Sequence, residues 1–381
     1  MSLKRVLATA LTLGMTLLLS TAASAVVTVY ESEDKAQHLK VGAALKGSVN
    51  FDLNDDLDNL DPNFTLNDAR IYTQAQILEG IGFAVTVDKK NGQDVNILDG
   101  YLTIKANDLF QIRAGRTKAP FDRATLAGTY NRLTWERSIT SKYPSVYGGR
   151  NDGGAVWGTY DVSVDGGDIP KVGAINPSLK YQAGVFQGVD NGGKGLDDLL
   201  YAGRVSLNLL ETEDTYTVPG SYFGTRNVLA IGTSLAYQKD AVGVSDDKDY
   251  LAWNADVLFD SAIEGVPGSF TLGAAVNLYD LDDAVYVPGD GLNEGIGFSV
   301  EAAYLAPWEL GVGIIKGKIQ PFFRYAQFEF DGFVDDGNEK QIDAGINYVL
   351  TKNALVTASY IHNELLGVKS DGFTVGIRFK F

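Results

Sequence analysis

The chain contains no cysteine, only two histidines, His38 and His362, and only two methionines, Met1 and Met15. Without cysteine, neither a disulfide framework nor a thiolate metal site can hold the fold. No metal triad and no Gly-rich nucleotide loop is read in the sequence. Gly192-Gly193-Lys194-Gly195 lacks the strand–turn–helix setting of a phosphate loop, and Asp52-x-Asn54-x-Asp56 lacks the central Gly and closing Glu of a calcium loop. Ser359 and His362 stand three apart, which on a strand puts them on opposite faces and breaks a nucleophile–base pair. No catalytic, cofactor or metal residue is therefore assigned, and the chain is expected not to be an enzyme. Nothing past the first 25 residues forms an apolar run of ~18, which excludes membrane-spanning helices.

What the chain does have begins at its N-terminus. Lys4 and Arg5 precede an apolar stretch from Val6 to Leu19, and Ala23-Ser24-Ala25 offers a small-x-small cleavage site. Residues 1–25 are thus expected to be a signal peptide and 26–381 the mature domain. Forty-five per cent of the residues are hydrophobic, yet they are dispersed one in two, as membrane-spanning strands require. At the C-terminus Phe373, Val375, Ile377, Phe379 and Phe381 alternate with Thr374, Gly376, Arg378 and Lys380. The same alternation recurs at Leu251, Trp253, Ala255, Val257 and Phe259 against Asn254 and Asp256, and at Ile342 to Leu350. Such a pattern also fits the outer face of a soluble sandwich. Aromatic residues near strand ends and evenly spaced turn signals favour the membrane.

The expected fold is all-β: a transmembrane antiparallel β-barrel of about 16 strands with an inward-folding third outer loop. The strands are expected near 38–51, 67–78, 81–88, 94–106, 109–117, 153–163, 178–187, 199–209, 227–238, 250–260, 269–279, 295–304, 318–330, 340–350, 354–363 and 371–381. A barrel of ~16 strands encloses water, so a pore follows; no segment reads as a plug.

With the strands placed, several stretches resemble the phosphate-selective porin O and P family. Within 95–121, Asp99, Tyr101, Gly115, Lys118, Pro120 and Phe121 are similar to its D-A-Y…G-x-x-K-x-P-F hairpin. Glu136-Arg137-Ser138 and Gly149-Arg150-Asn151-Asp152-Gly153 follow, with Asn151 interrupting the family's Arg-Asp pair. Gln320 to Tyr325 and Asp343 to Tyr348 resemble its Q-P-x-x-R-Y and A-G-x-N-Y strands. The resemblance implies a trimeric channel for small solutes in a Gram-negative outer membrane, touching lipopolysaccharide and lipid. It also implies delivery by the barrel-assembly machinery, which reads a terminal strand ending like Phe381. Nucleic acid is not an expected partner.

Charge is segregated. Removing Lys4 and Arg5 takes the net charge from −16 to −18, while 113–150 carries +6, leaving −24 for the rest. That basic stretch holds Arg113, Arg116, Lys118, Arg123, Arg132, Arg137, Lys142 and Arg150 on the fifth strand and third outward loop. Folded inward, it would form a basic constriction favouring phosphate or related anions; on the rim, it would meet lipopolysaccharide instead. Arg113 has lumen parity. Arg116 and Lys118 share the parity of the apolar face unless a bulge at Gly115 turns them in. Arg70, Arg204 and Arg324 lie on the polar face of their strands and are read as lumen cations. The remaining alternatives are a general or cation-leaning porin, given the acidic loops, and a structural or adhesive barrel.

Overall fold

The computed structural model describes residues 27–54, 61–141, 149–162, 167–188, 198–242, 248–282, 294–331 and 337–381. The expected signal peptide, Lys142, Gly192 to Gly195 and parts of the acidic loops lie outside the described residues.

Among the described residues, sixteen long antiparallel strands wind in chain order into one closed sheet, with two short strands, Val27–Glu31 and Glu309–Leu310, at its edge. They are β1 (His38–Asp52), β2 (Asn63–Leu78), β3 (Ile81–Lys90), β4 (Val95–Lys105), β5 (Gln111–Lys118), β6 (Arg150–Asp161), β7 (Ser178–Phe186) and β8 (Leu200–Asn208). There follow β9 (Val228–Val242), β10 (Lys248–Ile263), β11 (Val266–Asp280), β12 (Gly295–Leu305), β13 (Gly317–Phe330), β14 (Asn338–Thr351), β15 (Ala354–Leu365) and β16 (Val368–Lys380). The ring closes where β1 pairs with β16, from Ala44 opposite Lys380 to Asp52 opposite Gly372. Each expected strand is present. β2 starts at Asn63 rather than 67 and β9 runs to Val242 rather than 238, because the hairpin ladders continue beyond the apolar band.

Odd-numbered strands run away from the end that carries both termini. A short strand, Val27–Glu31, sits there beside β1, and the Phe381 backbone exchanges hydrogen bonds with Ala43 in both directions. Loops after odd strands therefore lie at the far end, and connections after even strands at the termini end.

Polarity is inverted relative to a soluble core. Arg378, Asp343, Asn254 and Asn347 are 0% exposed, whereas Ile71, Leu235 and Leu272 are 50% exposed or more. Left in water, each such outward side chain would forfeit about 1.5–3 kcal/mol; lipid removes that penalty and explains the alternation. Along β10 the inward set is Tyr250, Ala252, Asn254, Asp256, Leu258 and Asp260, and the outward set includes Leu251 and Trp253.

Candidate functional site: a lumen divided by two inserted segments

The far-end loop after β5 folds into the barrel. Its apolar side chains Ala119, Phe121, Leu126, Ala127, Tyr130, Leu133 and Trp135 are at most 4% exposed, which the lumen interior alone allows. Phe121 and Leu126 pack in one cluster with Trp157, Tyr279 and Phe328 of the wall. A single helical turn, α1 (Arg123–Leu126), is capped by Asp122, whose Oδ1 accepts from Thr125 N at 2.5 Å. Its carbonyl end is met by Lys118 Nζ, which donates to the carbonyls of Thr125, Leu126 and Ala127 at 2.7–2.9 Å.

Beyond α1 the loop crosses to the opposite wall, where side chains hold its backbone. Lys46 donates to Trp135 O (2.9 Å), Arg378 to Arg132 O (2.8 Å), Asn347 to Leu133 O (2.9 Å) and Arg324 to Glu136 O (2.9 Å). Gly376 leaves room for the Trp135 indole: a Cβ there would stand 2.2 Å from the ring. Tyr279 Oη donates to Thr140 O on the β11 side.

A second segment enters from the termini end, against the expectation that the barrel carries no plug. The β8–β9 ladder continues through Glu211 N to Asn227 O, and the chain between these residues turns into the lumen. Glu213, Tyr216, Val218 and Ser221 are each at most 4% exposed. This arm docks on the loop: Gly220 N donates to Asn131 O (2.9 Å), Tyr216 Oη to Lys118 O (2.8 Å), and Arg123 forks onto both Glu213 oxygens (2.8 and 2.7 Å). Burial alone would raise the Glu213 carboxyl, but the facing Arg123 guanidinium outweighs it and holds the pKa at about 2. The sequence did carry a signal. The 210–226 gap between expected strands exceeds ordinary hairpin length and includes Tyr216, Val218, Tyr222 and Phe223.

Between the loop, the arm and the β2–β5 wall lies a cavity of about 300 Å³. Its basic lining residues are Arg70, Arg113, Lys118, Arg150 and Lys380, with Asp99 as the acid. Arg113 is stacked between Tyr101 and Tyr216, 4.1 and 4.2 Å from the two ring centroids. Lys380 Nζ lies 5.6 Å from the Tyr72 ring. A smaller cavity of about 70 Å³, on the loop's other side, is lined by Arg123, Arg132, Arg137 and Arg324 with Asp256 and Glu301. Burial, reinforced by Arg137, brings Arg132 down to about 9, so it remains charged at neutral pH. Burial likewise lowers Arg137.

The residues expected at the constriction thus fall into groups. Arg113, Arg132 and Arg137 face cavities. Arg123 is bound to Glu213, Arg150 to Asp99 (3.0 Å), Arg70 to Asp68 (2.5 Å), and Arg204 to Asp256 (2.6 Å). Arg324 holds the loop and lies 3.5 Å from Asp343. Arg116 corrects the constriction set. It stays on the outer face, where it pairs with Asp152 at 2.7 Å, because no register shift interrupts β5 against β6. Lys118, the last residue of β5, does reach the lumen, where it is buried and its Nζ meets the α1 carbonyls. Lys46, Arg378 and Lys380 were also on polar faces in the sequence, but only the folded loop shows what they meet. Ser359 donates to Asp343 inside, while His362 contacts Asp371 (2.7 Å) at the far end, so the two do not form a pair.

No family model and no curated protein matches this chain. Solved structures do. OmpF of Salmonella typhi in complex with daunomycin is 12% identical, covering 93% of this chain and 100% of that one, with TM-score 0.57. The fold is that of outer-membrane porins. The outer membrane channel DcaP of Acinetobacter baumannii (13% identity, 93% and 100% covered, TM-score 0.55) shares it. So does an anion-selective porin from Comamonas acidovorans (11%, 91% and 100%, 0.53).

Proposed function

We propose that this chain is a non-enzymatic porin of a Gram-negative outer membrane, passing small hydrophilic solutes through its divided lumen with a lean towards anions. The observation that carries this reading is the cavity beside the loop, where Arg113 and Lys380 meet ring faces and open volume while the one lining acid, Asp99, is taken up by Arg150. Guanidinium and ammonium groups there replace part of an anion's hydration, and several separated cations attract without trapping. The likeness to an anion-selective porin from Comamonas acidovorans supports the same lean. Phosphate is the first solute to try, following the resemblance to the phosphate-selective porin O and P family. A homotrimer surrounded by lipopolysaccharide, assembled through the strand ending at Phe381, belongs to the same reading.

A general or cation-leaning channel is the second reading, favoured by Asp256, Asp260, Glu301 and Asp343 on the β10–β14 wall. Reconstitution of the mature protein in planar bilayers across a KCl gradient tests both. An anion-directed reversal potential with phosphate block is the expected result; a cation-directed one selects the second reading. Absence of channels would discard both.

A further inference from the structure

We propose that the arm between β8 and β9 is a fixed second constriction, entering the lumen from the termini end, and that Glu213 is its positioning residue. The inference rests on the porin reading and adds an element that sets conductance and the upper size of solutes.

The arm is far longer than its position requires. At Glu211 and Asn227 the two strands are still hydrogen-bonded, so a two-residue turn would join them. Instead the chain turns inward and exposes Thr215 and Thr217 to the large cavity while burying Tyr216 and Val218. Its far side is anchored to the wall: Tyr222 N and Ser221 Oγ both donate to Asp260 Oδ2, at 2.8 and 2.9 Å. Its near side is clasped to the loop by Arg123 and Glu213, and Tyr222 Oη adds a third donor to the same carboxylate (2.7 Å). Lys180 of β7 donates to Thr215 O as well. These bonds tie the arm to the wall on one side and to the loop on the other, which holds it in place. The arm is therefore part of the pore's fixed cross-section and does not act as a lid. Because it supplies Tyr216 to the Arg113 stack, it also positions the cation that solutes would meet.

The test is electrical. In the mature channel, residues 212–226 are replaced by Asn-Gly, and folding is checked by the heat-dependent shift in gel mobility. The variant should conduct at least about twofold more than the wild type, as expected when a narrowing is removed, and should admit larger sugars into liposomes. An unchanged conductance in the folded variant overturns the proposal; absence of channels in the wild type would instead remove the porin reading. A second route avoids the deletion. Because the chain has no cysteine, Thr217→Cys supplies a unique thiol, and a negatively charged thiol reagent added to open channels should lower their conductance. No response would place the arm outside the permeation path and overturn the proposal. For the positioning role, Glu213→Arg and Arg123→Glu should each raise conductance, and their combination should restore it. Failure of the pair to restore it overturns that role.

Discussion

Where the loop crosses the lumen, Arg324, Asn347 and Arg378 of the β13–β16 wall, with Lys46 of β1 beside them, all end on its backbone carbonyls. On the β2–β5 side, Arg113 ends between two tyrosine rings and faces a cavity. Both walls bury cations on lumen-facing positions of alternating strands, so strand parity treats them alike. Their surroundings separate them: one set is surrounded by acceptors that need donors, the other by aromatic faces and open volume. Inward cations in this barrel therefore divide into those that hold its loop and those that face open volume.

That division predicts opposite phenotypes. Arg378 should show the largest stability effect, since Arg378→Met strips donors from the carbonyls of Arg132 and Thr134 and from Thr357. Urea unfolding in detergent should register a loss of about 3–5 kcal/mol. A loss below about 1 kcal/mol would mean that the loop does not depend on this wall.

Acid should act next, through the arm. The Glu213 pKa falls from 4.5 to about 2 on folding, so its contribution is complete above about pH 4.5 and fades as the pH drops towards 2. The shift corresponds to about 3 kcal/mol. Glu213→Gln should flatten the stability–pH curve within that window and leave its slope above pH 5 unchanged.

Gly376→Val asks whether the β16 wall needs the Trp135 contact. A side chain there must displace the indole, with an expected cost of about 1–3 kcal/mol and an altered conductance as the loop shifts. Arg116→Ala should do least. Its pair with Asp152 is half-exposed on the outer face, so it should lose at most about 1 kcal/mol and leave selectivity untouched. A change in selectivity would return Arg116 to the lumen.

Strand order and closure were legible because lipid outside and water inside impose a period of two on every strand, from Leu251–Phe259 to Phe373–Phe381. The inward loop was legible from its length and charge. Partners across the lumen were not, because Lys46–Trp135, Arg378–Arg132 and Asn347–Leu133 join residues far apart in sequence, and no periodicity encodes such pairs. Glu213 stayed hidden for a related reason: its role depends on a connection entering from the end where turns are ordinarily short.

The most direct measurement is the reversal potential of Arg113→Gln/Lys380→Gln beside the wild type and Arg324→Gln, in planar bilayers across a KCl gradient. The account predicts that the double variant loses most of the anion preference, whereas Arg324→Gln keeps it, since Arg324 is already committed to Thr134, Glu136 and Gln341. Equal loss in both variants, or loss only in Arg324→Gln, would contradict the division between loop-holding and solute-facing cations.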